Sequence, residues 1–308
     1  MIVLDKIHKI NLPTVVALGS FDSIHLGHQK LIKEAVLIAK AWNVLSVVFT
    51  FKELPLNVIS GRTVIKNVLT QEDKLKEIEK MGVDIVINAD FDSYMQNMSP
   101  EDFVKDILVG KLNCSAVVCG YNYSFGKRGS GNAEMLETCG VRYGFDTDVI
   151  DEYKLDGQTV SSTAIRAFLV EGKVEKYKDL TGRYYSISGK VIEGQHFGTR
   201  MGYPTVNLNL SEDMALPANG VYVTQINVDG TRYKGVTNVG NKPTVGEFGK
   251  NAETHIFDFS GDLYGKTILV EFVHFLRPEY KFETITDLEK QISKDCENAK
   301  AYYLETDI

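Results

Sequence analysis

The hydrophobic pattern of the chain changes period near Arg183, and that change constrains the fold more than any other feature. Before it, short apolar runs alternate with segments of helical spacing. Residues 14–18 form an apolar run. Leu31, Ile32, Ala35, Ile38 and Ala39 then share a helical face between His28 and Trp42. Residues 45–51 are β-rich, and residues 71–81 read as a helix through Leu75, Ile78 and Met81. Residues 83–87, 116–119 and 147–150 read as strands, and Ser99-Pro100 as a capped helix start. Such alternation predicts a parallel sheet covered by helices. Beyond Arg183 the runs 185–191, 220–228, 233–239, 254–259 and 268–275 crowd together. Turns such as Asp229-Gly230 and Gly261-Asp262 separate them. That texture predicts antiparallel hairpins in a small β-barrel. Helical spacing returns over residues 286–304. The expectation is a Rossmann-like α/β domain over 1–180, then an antiparallel β-barrel with a terminal helix over 181–308.

A chain of 308 residues suits two domains with cores of their own. It carries 41 acidic and 34 basic residues, a net charge of −7 spread over both halves. Bulk attraction for nucleic acid is therefore not expected. Any phosphate must be met by local geometry or a metal. Cys114, Cys119, Cys139 and Cys296 form no CxxC pair or zinc-finger spacing, and read as buried free thiols. The N-terminus lacks a signal-peptide pattern and no apolar run nears the length of a membrane span, so a cytoplasmic protein without membrane partners is expected. Trp42, the single tryptophan, reads as core, and Tyr264 as packing.

The break after the first long strand carries the sharpest motif, Gly19-Ser20-Phe21-Asp22-Ser23-Ile24-His25-Leu26-Gly27-His28. Its glycines let backbone approach a ligand closely. The helix N-terminus behind them offers free N–H groups and a positive dipole end, which suit phosphate. His25 and His28 can share a face of that first turn and stabilise charge on a pentacoordinate phosphorus. Val160-Ser161-Ser162-Thr163-Ala164-Ile165-Arg166 reads as a capped helix start whose hydroxyls, N–H groups and guanidinium can grip phosphates. Together the two match the pattern of an HxGH-type nucleotidyltransferase. A third, glycine-rich motif from Gly120 to Gly131 follows a strand, at the sheet edge where open α/β sheets bind ligands. Taken singly, each has a bland alternative: surface histidines, a plain helix cap, a surface loop.

These motifs resemble the prokaryotic bifunctional riboflavin kinase/FAD synthetase family along nearly the full length. The matching stretches are GSFDSIHLGH, GYNYSFGKRGSG, VSSTAIR, GKVIEGQHFGTRMGYPTVNLNL, GVYVTQI, GVTNVGNKPTV, AETHIFDFSGDLYG and LRPEYKF. The resemblance implies an N-terminal domain that adenylylates FMN to FAD and a C-terminal barrel that phosphorylates riboflavin to FMN. Both steps use ATP and Mg2+. It implies catalytic roles for His25, His28 and Arg166. It implies binding roles for Gly19, Phe21, Asp22, Gly27, Asn122, Ser161, Ser162 and Thr163. Three departures fall in the first half: Ser23 where the family usually has Gly, Lys52-Glu53 in a segment that usually reads TFDPHP, and Asn122-Tyr123 where Asp-Phe is common. A Cβ at position 23 is expected to crowd the nucleotide or to strain the backbone. The competing expectation is therefore a riboflavin kinase with an impaired adenylyltransferase domain, and a more remote one is a flavin- or nucleotide-binding regulator without turnover.

The second half has no G-x-x-x-x-G-K-[ST], so it is not a P-loop kinase. Gly194, Gly198 and Gly202, four apart, make a loop suited to wrap phosphates, and Pro204 leads into an extended run. There Thr205 and Asn207 point to one face, and their oxygens are hard donors suited to Mg2+ with ATP. By resemblance, Glu253 takes the proton of the attacking ribityl hydroxyl and Arg277 lies near flavin or phosphate. Asn238 and Lys242-Pro243-Thr244 read as structural.

Overall fold

The computed structural model describes residues 1–193, 202–241 and 249–306. The chain divides into two compact units, Met1–Ser162 and Thr163–Ile308.

In the first unit the strands are β1 (Ile2–Leu4), β2 (Thr14–Leu18), β3 (Leu45–Phe51), β4 (Ile85–Ala89) and β5 (Cys114–Gly120). A short ribbon of β6 (Ser124–Phe125) and β7 (Gly131–Asn132) follows, then β8 (Asp146–Ile150) and a hairpin of β9 (Lys154–Leu155) and β10 (Gln158–Thr159). The main sheet runs β1-β4-β3-β2-β5-β8 with every pair parallel. Alternate residues of each strand enter opposite layers. Val15, Ala17, Val48 and Val86 meet Ile32 and Ala35 of α1 (Leu26–Trp42) and Ile78 of α3 (Gln71–Glu79). Val16, Leu18, Phe49 and Val117 meet Leu136 of α6 (Ala133–Tyr143) and Phe103. Burial on both faces is why these strands read as unbroken apolar runs. Short helices α2 (Pro55–Ser60) and α4 (Ser93–Asn97) lie between. Ser99 caps α5 (Pro100–Asp102), as its sequence indicated, but the helix then widens into a π-helical turn over Phe103–Val109, which the sequence did not signal.

The second unit holds α7 (Ser162–Val170), α8 (Val174–Thr181), β11 (Tyr185–Lys190), β12 (Thr205–Asn209), β13 (Gly220–Val228), β14 (Thr231–Asn241), β15 (Lys250–Ile256), β16 (Thr267–Pro278) and a C-terminal helix, Ile285–Thr306. Ser162, the first residue of α7, is counted with the first unit. The sheet is antiparallel in the order β11-β16-β13-β14-β15-β12. It curls until, among the described residues, a bridge from Ile192 to Asn207 joins the ends. Asp229-Gly230 makes the β13–β14 turn with φ of 49° and 86°, both left-handed as such a two-residue hairpin requires. Inside, the Thr224, Thr237 and Thr254 hydroxyls form a buried ladder with 2.8 Å steps. Outside, Val221, Val223, Val236 and Val273 pack on Cys296, Ala299 and Tyr303 of the C-terminal helix. Glu175 of α8 accepts hydrogen bonds from the His274 ring and, at 3.2 Å, from the Phe275 amide, tying α8 to β16.

Two expectations are corrected. Trp42 is 44% exposed at the end of α1. The strand expected over 254–259 lies earlier, at Lys250–Ile256. Its end is set by Asp258, whose φ of 54° turns the chain out of the sheet. The four cysteines are free and buried, as expected.

Candidate functional sites

The first motif fills the turn between β2 and α1, at the C-terminal edge of the parallel sheet. Phe21 and Ile24, both fully buried, hold positive φ of 49° and 43°. Bulky side chains in that region mark stored strain. Ser23 is not strained, contrary to expectation: it is buried and its hydroxyl meets that of Ser162 at 2.8 Å. His25 caps α1 with its side chain, Nδ1 accepting from the His28 amide at 3.1 Å. A neutral imidazole that accepts at Nδ1 carries its proton on Nε2, where it can donate to a phosphate. The His25 and His28 rings stack at 3.6 Å, and the edge of Phe21 packs on His28. Gly27 permits this: a Cβ there would lie 3.1 Å from the His25 ring and 3.2 Å from Tyr153. At Gly19 a Cβ would collide with the Phe21 ring at 2.8 Å.

Around this turn, Asp22 accepts the Val68 amide at 3.2 Å, and the Thr50 hydroxyl donates to Ser20 O at 3.0 Å. Lys52 pairs with Asp90 at 2.9 Å. Asn122 is exposed in the turn after β5, and Ser161 precedes α7, with Thr163 and Arg166 in its first turns. The sequence reading passed over Lys74 of α3, which is 4% exposed although charged. Its Nζ donates to Phe51 O at 2.8 Å and lies 3.5 Å from Thr50 Oγ1. Burial pushes its pKa down to about 8, and Asp22 opposes that fall.

In the second unit, strand register assembles the site. Asn207 pairs with Glu253, Glu253 with Asn238, Asn238 with Val221 and Val221 with Arg277, a row across five strands on one face of the sheet. Thr205 lies opposite His255 on that same face. Asn251, two residues before Glu253, shares the face. Its amide donates to Asn207 Oδ1 and to Glu253 Oε1, each at 3.2 Å. The sequence reading missed Asn251, although its spacing from Glu253 was the available signal. Asn207 Oδ1 keeps a second lone pair after accepting from Asn251, and Thr205 Oγ1 adds another hard oxygen. This donor set fits Mg2+ that retains waters and phosphate oxygens. Arg277 is engaged elsewhere: its Nε and Nη2 reach Asp295 at 2.6–3.1 Å, and the guanidinium lies 4.5 Å over Tyr280. Pro204 O meets the His255 ring at 2.9 Å, and Gly202 has φ of 81°. Gly194, Gly198 and Lys242-Pro243-Thr244 lie outside the described residues.

An HxGH turn at the edge of a parallel sheet, followed by a curled antiparallel sheet with a Thr/Asn/Glu row, defines a nucleotidyltransferase domain joined to a kinase domain without a P-loop. The family model "FAD synthetase" matches residues 7–164, and "Riboflavin kinase" matches 181–303. The chain is 35% identical over 302 residues to the bifunctional riboflavin kinase/FMN adenylyltransferase of Buchnera aphidicola (Schizaphis graminum), covering 97% of this chain and 96% of that one. The protein of the same name from Haemophilus influenzae is 35% identical, with 94% of each chain covered. A solved structure described as a macrolide-efflux protein from Streptococcus pneumoniae matches with a TM-score of 0.88 at 28% identity, over 96% of this chain and 97% of that one. The chain belongs to the bifunctional riboflavin kinase/FMN adenylyltransferase family. Among the described residues no helix is long and apolar enough to cross a membrane.

Proposed function

We propose that the chain makes FMN and then FAD, phosphorylating riboflavin in its second unit and adenylylating FMN in its first. The observation that carries this reading is the agreement of two family models with two separate stretches, alongside full-length relatives that bear both activities in their names. A kinase alone is not favoured, since Ser23, the departure expected to spoil the first site, sits in unstrained backbone.

For adenylyl transfer, an FMN phosphate oxygen attacks the α-phosphorus of ATP and pyrophosphate leaves. Charge grows on the phosphoryl oxygens, so the catalyst needs fixed donors rather than a base. The α1 N-terminus and His25 Nε2–H supply them, and His28 is held beside His25 by stacking. Gly19, Asp22 and Gly27 shape the turn, and Phe21 supports it from beneath. Ser161, Ser162, Thr163 and Arg166 carry the second phosphate-binding element, and Asn122 adds a binding contact.

For phosphorylation, the ribityl hydroxyl attacks the γ-phosphorus while the bond to the ADP oxygen breaks. Glu253 takes the proton, with Oε1 held by Asn251 and Oε2 left for the hydroxyl. Thr205 and Asn207 would hold Mg2+ with ATP, and the bound ion would supply charge neutralisation at the phosphates. By resemblance, Gly194, Gly198, Gly202 and Pro204 would bind the nucleotide. Arg277 acts by fastening β16 to the C-terminal helix. A cytoplasmic location accords with the four free thiols.

The test is a chromatographic time course with purified protein, riboflavin, ATP and Mg2+. FMN should appear first, then FAD with pyrophosphate. FMN without FAD refutes the adenylyltransferase, and the absence of both products refutes the whole reading.

A further inference from the structure

We propose that Lys74 is a positioning residue for adenylyl transfer: its buried side chain fixes the end of β3 and, through Thr50 and Asp22, sets the loop that presents His25. The inference rests on the adenylyl-transfer reading above. A lysine is rarely buried without a strong reason, because its ammonium must leave water. Here the polar groups around it converge on the phosphate loop. Lys74 Nζ donates to Phe51 O, the last residue of β3, at 2.8 Å. It also lies 3.5 Å from Thr50 Oγ1, the hydroxyl that donates to Ser20 O. Ser20 immediately follows Gly19, so Lys74 and the loop share one short chain of hydrogen bonds. Asp22, on the same loop, favours the charged ammonium electrostatically and anchors the loop to Val68. A single cation thus braces the loop at two points, three and five residues before His25.

Other charged groups nearby are already engaged. On α3 itself Glu72 pairs with Lys76, and Asp73 accepts from Thr70. Beyond β3 and β4, Lys52 pairs with Asp90. On β4's leading side Asp84 holds the Ser46 amide and hydroxyl. Asp22 acts electrostatically on the Lys74 ammonium. Loss of that charge relaxes the loop that must hold His25 in place as the phosphorus changes geometry, and sub-ångström misplacement is costly at such a site.

Two variants separate positioning from bulk packing. Lys74→Met keeps length and removes charge at every pH, while Lys74→Arg keeps charge at every pH. FAD formation from FMN and ATP should fall about tenfold or more in kcat for the Met variant, with little change in KM. The wild-type pH profile should show an alkaline limb near pH 8. That limb should vanish in the Met variant and move to higher pH in the Arg variant. Riboflavin phosphorylation by the same molecules serves as the internal control and should not change. Amide hydrogen exchange of the ligand-free full chain gives a readout independent of turnover: exchange over residues 19–25 should rise in the Met variant. An unchanged alkaline limb in the Met variant, or unchanged exchange over that loop, overturns the role of Lys74. If the wild type forms no FAD, the functional reading fails, and loop exchange alone decides the matter for Lys74.

Discussion

Replacing Lys74 by Met should stabilise the protein while impairing FAD formation. The ammonium is held at 4% exposure, and burial lowers its pKa from 10.5 to about 8. At about 1.4 kcal/mol per tenfold, keeping it charged at neutral pH costs roughly 3 kcal/mol. Methionine of similar length removes that cost but leaves Phe51 O without its donor, a loss of about 1 kcal/mol. The net gain is about 2 kcal/mol. For a unit of this size each kcal/mol moves Tm by roughly 2–4 °C, so a rise of about 4–8 °C is expected at pH 7. The pH dependence has a definite sign. Between pH 8 and 10.5 the unfolded chain holds the lysine proton and the folded chain does not. Wild-type stability therefore rises across that window, whereas the Met variant has no such dependence, and the gap between them closes. Differential scanning calorimetry of the full chain at pH 7, 8.5 and 10 reads both quantities. A Met variant that melts below wild type at pH 7, or a gap constant with pH, refutes the reasoning.

Four other outcomes follow from the geometry. Glu253→Gln should slow riboflavin phosphorylation by about 10²–10⁴-fold and keep ATP binding and FAD formation, checked by coupled assays and nucleotide titration. Asn251→Ala frees both Asn207 Oδ1 and Glu253 Oε1; kcat of the kinase should fall about tenfold, and an unchanged rate would show that the bridge is inert. Asp295→Ala leaves Arg277, mostly buried, without its carboxylate and should cost about 3 kcal/mol, seen as a lower melting transition in calorimetry. Ser23→Gly removes the contact with Ser162 and should lower FAD formation slightly; a clear increase would revive the view that a Cβ at 23 obstructs the site.

Much of the fold was legible because burial writes itself into period. β13 spans Gly220–Val228 as its alternation indicated, and α1 ends at Trp42 as its apolar spacing indicated. The π-helical turn at Phe103–Val109 left no trace, since Phe103, Val104, Ile107 and Leu108 also fit an ordinary helix. The HxGH turn and its place between the first long strand and its helix were legible from its glycines and the apolar runs on either side. Its internal order was not: nothing in the sequence says that His25 caps the helix through Nδ1 or that strain falls on Phe21 and Ile24 instead of Ser23. Lys74 escaped notice because a lysine on a polar helix reads as solvated. Only the depth of α3 against β3 shows otherwise. The pairing of Arg277 with Asp295 was not legible, because Asp295 lies on a helix whose docking the sequence does not reveal.

The bridge between Ile192 and Asn207 gives β12 an unusual position. One side of that strand is laced to β15 along its whole length, while the other, among the described residues, is stitched to the chain beyond β11 at a single point. The stitch uses the backbone of the residue whose side chain faces Glu253. Inserting one residue between 204 and 207 would turn Asn207 to the far side of the sheet and shift the seam with it. Loops bordering this strand can vary in length during descent or engineering, but the strand itself has no slack: its register sets both the seam and the direction in which Thr205 and Asn207 point.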